Sequence, residues 1–152
     1  MRRLESARDA LDLVLMSASD PPEHQTVVLL GHSVEGGGVS VIIDGEVPLD
    51  ELASTLSLLA GAAGPGSLIA AATITPHAPA LTEAELAAWH DLDAAVDEHG
   101  AVLCEWFLVG DGIAIAVAEW SGLPGRWAEV NGSRASGSRR RRASPRAFRP
   151  RR

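Results

Sequence analysis

Hydrophobic positions change period several times along the chain, and each change marks an element. Leu4, Ala7, Leu11, Val14 and Leu15 recur at helical spacing, with Arg8, Asp9 and Asp12 on the opposite face. Ser19-Asp20-Pro21-Pro22 ends that helix, since neither proline continues the helical hydrogen bonding. Apolar runs at 26–30 and 39–43 then flank a loop of His32, Ser33, Val34, Glu35 and three glycines, the pattern of an antiparallel hairpin. Asp44-Gly45 supplies the following turn. Residues 48–63 form a second predicted helix, with Pro48 in its first turn and Asp50 and Glu51 near its positive end. Gly64-Pro65-Gly66 stops it. Residues 67–74 are apolar on both faces, as in a central strand. Thr82-Glu83-Ala84-Glu85 is a capping box that opens a third helix running to about Glu98, and His99-Gly100 closes it. Residues 101–109 and 113–120 read as two strands joined through Gly110-Asp111-Gly112. The order α-β-β-α-β-α-β-β predicts an α/β fold: a mixed sheet with helices on both faces, an α/β/α sandwich.

After Ser121 the pattern dissolves, although Leu123, Trp127 and Val130 have the character to cover a sheet edge. Three regions follow: an N-terminal helix and linker (1–22) packing on the body, a core domain (23–131), and an Arg-rich tail (132–152). The tail holds one bulky apolar residue, Phe148, and is expected to be disordered. Charge divides at the same boundary. Residues 1–131 hold all twenty acidic side chains against four arginines, a net of −16, whereas 132–152 carry nine arginines and no acid. The body would repel nucleic acid and the tail would attract it. The single cysteine, Cys104, excludes an intramolecular disulfide and a cysteine-based zinc finger. No apolar run reaches the length of a membrane span, and the N-terminus turns acidic too early for a secretory signal. The expectation is a cytoplasmic protein.

Few residues carry candidate chemistry. Gly36-Gly37-Gly38 joins strand to strand instead of opening a helix, so it lacks the geometry of a phosphate loop. Cys104 lies inside a strand and reads as a small apolar residue. His90 and His99 lie on or just after a polar helix and are expected in solvent. Trp89, Trp106, Trp120 and Trp127 read as core or edge-covering residues, with an interaction face as the alternative.

Three segments together resemble the RadC-like branch of the JAB/MPN metalloprotease-like superfamily. They are Thr75-Pro76-His77, Thr82-x-x-Glu85, and Glu105-Trp106-Phe107-Leu108-Val109-Gly110. The resemblance covers roughly residues 23–120 and implies a sandwich of JAB/MPN (cytidine deaminase-like) type. In active members two histidines and an aspartate hold zinc, and an upstream glutamate acts as base. Here Thr75 stands at the first histidine, His77 at the second, and Glu85 replaces the aspartate. Catalytic zinc needs about three protein ligands, and His77 and Glu85 supply two, so the resemblance implies a degenerate site.

The leading expectation is therefore a catalytically inactive domain that binds an unknown protein partner, without a cofactor and with dimerisation open. One alternative is a zinc-dependent, peptidase-like hydrolase with a rearranged site drawn from Thr75, His77, Thr82, Glu85, His32 and Glu35. Another is an accessory protein that holds nucleic acid through the anion-binding tail residues Arg139, Arg140, Arg141 and Arg142.

Overall fold

A computed structural model of the chain describes residues 4–32 and 38–122. Glu35, residues 123–131 and the Arg-rich tail, with Arg139 to Arg142, lie outside the described residues. Five strands form one mixed sheet in the order β2-β1-β3-β4-β5. They are β1 (Gln25–His32), β2 (Gly38–Asp44), β3 (Ser67–Ile74), β4 (Val102–Gly110) and β5 (Ile113–Ala116). β1 runs antiparallel to both β2 and β3, β3 and β4 are parallel, and β4 and β5 are antiparallel. The central strand is β3, as its two-sided apolar sequence requires.

Helices cover both faces. α1 (Ala7–Ser17) sets Ala10, Leu11 and Val14 against Val27, Leu29, Ala72 and Phe107 of one face. Its N-terminus is capped by the Ser6 hydroxyl, which accepts a hydrogen bond from the Asp9 amide at 3.1 Å. α2 (Leu49–Ala63) and α3 (Glu83–Asp97) cover the other face, where Leu52, Leu56, Trp89 and Leu92 meet Ile69, Leu103 and Trp106. The small side chains of Ala70, Ala71 and Ala72 let both helical layers approach β3. No helix among the described residues is long and apolar enough to cross a membrane.

The structure departs from the sequence pattern in three places. The last strand stops at Ala116, and the following residues form one helical turn, α4 (Val117–Trp120). The apolar period alone does not separate these outcomes, because Ala and Val there satisfy a short strand or a buried turn equally. Second, β4 pairs with β3 through a register shift: Ile69 faces Leu103, but Ala70 faces Glu105. Cys104 is the extra residue of a bulge. A strand phase has period two, so this one insertion turns Trp106 toward α2 and α3 in place of Glu105. Third, His99 is half-buried instead of solvated. Its Nε2 lies 3.0 Å from the Ser57 hydroxyl of α2, and its ring fills the notch left by Gly61.

The β4–β5 connection follows the expected turn chemistry. Asp111 and Gly112 both have positive φ, at 46° and 70°, the requirement of a two-residue turn whose twist matches the strands. Gly110, one residue earlier, has a different constraint. The chain leaving β3 crosses directly over it, and the Thr75 amide donates to the Val109 carbonyl at 2.9 Å. A Cβ at position 110 would overlap the His77 carbonyl oxygen and lie 2.7 Å from that of Thr75. Gly110→Ala is expected to destabilise the fold by about 1–3 kcal/mol, the usual cost of overpacking. An unchanged urea midpoint would show that the 75–77 crossing yields without strain.

Candidate functional site

Parallel strands in α/β sheets commonly open a ligand crevice beyond their carboxyl ends. Here that place is the end of β3 and β4, and it contains the Thr75-Pro76-His77 loop and the start of α3. The loop is folded on itself: the Thr75 hydroxyl donates to the His77 carbonyl at 2.8 Å. Because the same segment lies on Gly110, the space between the two strand ends is filled by backbone. The His77 side chain is exposed.

The capping box forms as the sequence indicates. The Thr82 hydroxyl accepts from the Ala84 amide, and the Glu85 carboxylate accepts from both the Thr82 amide, at 2.9 Å, and the Thr82 hydroxyl. Partial burial pushes the Glu85 carboxyl up, but the hydrogen bonds from Thr82 outweigh it and leave the group below its ordinary value. This carboxylate is committed to the helix end.

His32 is not part of this cluster. It faces Ser67 at the start of β3, so the length of the strand, on the order of 25 Å, separates it from Thr75. The exposed His32 instead borders a shallow groove with Leu30, Val39, Ala63 and Ser67. The Ser67 hydroxyl there is occupied by the carbonyls of Ala63 and Gly64, at 3.0 and 2.7 Å. Thr75, His77, Thr82 and Glu85 therefore share one end of the sheet, and His32 lies at the other. Among the described residues, no three His, Cys, Asp or Glu side chains are gathered as a metal would need. The residues present do not fit the zinc that the family resemblance implies: Glu85 is engaged by Thr82, and the loop that carries His77 is closed on itself.

The most unusual polar group is Glu105. It is 3 % exposed, and Arg8 is the one arginine or lysine among the described residues. Its Oε1 accepts from the amides of Trp106, at 2.9 Å, and Ala118, at 2.7 Å, while Oε2 accepts from Glu119 at 3.3 Å. The last two are the second and third amides of α4, whose first flanking residue, Ala116, offers no side-chain cap. Glu105 thus caps α4 from a neighbouring strand, which explains why β5 ends where it does. Burial pushes its carboxyl up to about 7; the three amides oppose the shift, and the nearby Glu119 carboxylate adds to it. A lone acid inside the apolar run of β4 was the sequence signal for this group, and the family resemblance marked the position without giving its role.

No family model matches the chain, and neither the curated proteins nor the solved structures provide a match.

The raised affinity of Glu105 for a proton sets a pH dependence. Its folded value lies above the unfolded value near 4.5, so its contribution to stability is complete below about pH 4.5 and is lost as pH rises through about 7. At about 1.4 kcal/mol per pH unit the loss approaches roughly 3 kcal/mol. Glu105→Gln, which keeps an acceptor oxygen but cannot ionise, is expected to gain on the wild type by that order between pH 5 and pH 8 in urea titrations. Parallel stability curves for the two proteins would show that the carboxyl keeps an ordinary proton affinity.

Proposed function

We propose that the chain is a non-catalytic binding module, built on a sandwich that resembles the RadC-like branch of the JAB/MPN superfamily and directed at a protein partner. The observation that carries this reading is the commitment of Thr75 and of two carboxylates, Glu85 and Glu105, to local structure, which leaves the exposed His77 without a neighbouring acid or base from this set. Thr75 closes its own loop, Glu85 caps α3, and Glu105 caps α4. A general acid, a general base or a metal ligand needs a free lone pair or proton directed at a substrate. At the strand ends, where a substrate would enter, the 75–77 segment occupies the space. The tail's nine arginines give any nucleic-acid contact to residues 132–152, because the described body carries eighteen acids against one arginine.

Elemental analysis of protein purified without a histidine tag tests the reading. The expected result is no bound zinc, a melting temperature that chelator leaves unchanged, and a His77→Ala variant as stable as the wild type. Near-stoichiometric zinc lost in both His77→Ala and Glu85→Ala would replace the binding module with a rearranged hydrolase.

A further inference from the structure

The two edges of the sheet differ. At one edge β5 has four residues, and the chain turns into α4, whose amides close on Glu105. At the other, β2 has seven residues and, among the described residues, pairs only with β1, in unbroken register from Gln25–Asp44 to Gly31–Gly38. Residues 38–43 of β2 contain no charge and no proline, and the strand contains no bulge. These are the usual means by which a sheet edge is kept from pairing with another chain. Val39 is 60 % exposed and Ile42 is 46 % exposed.

The hydrogen-bond phase shows which groups are open. The Gly45 amide donates to the His24 carbonyl at 2.8 Å, continuing the β1–β2 ladder by one pair. Antiparallel ladders alternate, so the peptide groups of Val39, Val41 and Ile43 face β1. Those of Gly38, Ser40, Ile42 and Asp44 face the open edge.

From this we infer that β2 pairs antiparallel with β2 of a second copy of the chain, about a two-fold axis through Val41, to form a continuous ten-stranded sheet. In this register Ser40 of each copy exchanges hydrogen bonds with Ile42 of the other, and Gly38 does so with Asp44. Every outward peptide group of both strands is then used, because the open set is symmetric about the strand centre. A two-fold axis normal to the sheet also preserves its faces, and such self-complementary contacts are the commonest way that chains form dimers. Charge selects the same place. The described body carries eighteen acids and one arginine, so two copies repel over most approaches. Residues 38–43 form a neutral edge, and the one acid of the strand, Asp44, is at its end, hydrogen-bonded by Gln25 Nε2 at 2.9 Å. The inference does not depend on the proposed function.

Sedimentation of the full chain across a concentration series tests it. The expected result is a dimer that tightens as salt screens the acidic bodies. Ser40→Lys with Ile42→Lys should give a folded monomer, since both side chains are exposed, and an unchanged circular-dichroism melt would confirm folding. Val41→Cys should cross-link to its own copy on mild oxidation, because opposed residues that exchange no hydrogen bond place their Cα atoms about 4.5 Å apart. The wild type, whose Cys104 is buried, should not. A wild type that stays monomeric, a folded lysine variant that stays dimeric, or a dimer weakened by salt would overturn the inference. A dimer in which Val41→Cys fails to cross-link would overturn the two-fold register.

Discussion

One inserted residue sets the phase of β4, and much of the described structure follows from that phase. With Cys104 bulged, Trp106 and Leu108 point to the α2–α3 layer, and Phe107 and Val109 point to α1. Without the insertion, Leu103 would be followed two positions later by Glu105 on the face covered by α2 and α3. A carboxyl would then replace a large aromatic side chain in the core, away from the amides that satisfy it here. The bulge instead leaves Trp106 buried, with its indole N–H donating to the Thr73 hydroxyl at 3.0 Å. It also leaves Glu105 beside the sheet edge, within reach of α4.

The polar groups show a common use. Ser6, Thr82 and Glu105 each satisfy amides at a helix N-terminus, Thr75 satisfies a carbonyl in its loop, and Ser57 joins α2 to His99 beyond α3. Side chains that would be catalytic candidates on composition alone are here substitutes for missing backbone partners. This use of polar side chains on the backbone is the observation on which the proposed binding module rests.

Long periodic elements were legible in the sequence. The positions of α1, α2, α3 and the first four strands follow from apolar spacing, and the Thr82–Glu85 box was readable because its two partners are three residues apart. The Asp111-Gly112 turn was equally clear. What stayed hidden depended on contacts distant in sequence. Nothing local to 113–120 announces that Glu105 will take its amides, so an apolar run of Ala, Val and Ile reads as one strand. Nor does helix polarity place His99, whose burial depends on the absence of a side chain at Gly61, far earlier in the chain. The candidate cluster failed at His32 for a topological reason: β1 runs antiparallel to β3, which carries its last residue away from the 75–77 loop.

Glu105 also ties folding to the solvent's acid–base balance. Near neutral pH the folded chain retains part of a proton that the unfolded chain, with an ordinary carboxylate, gives up. Unfolding is then also an ionisation, and the released proton is taken by whatever buffer is present. The heat absorbed on unfolding therefore includes the buffer's own heat of protonation. Two solutions at one pH, differing only in that heat, give the same midpoint and different enthalpies, with the buried Glu105 carboxyl of β4 that caps α4 as a source of the difference.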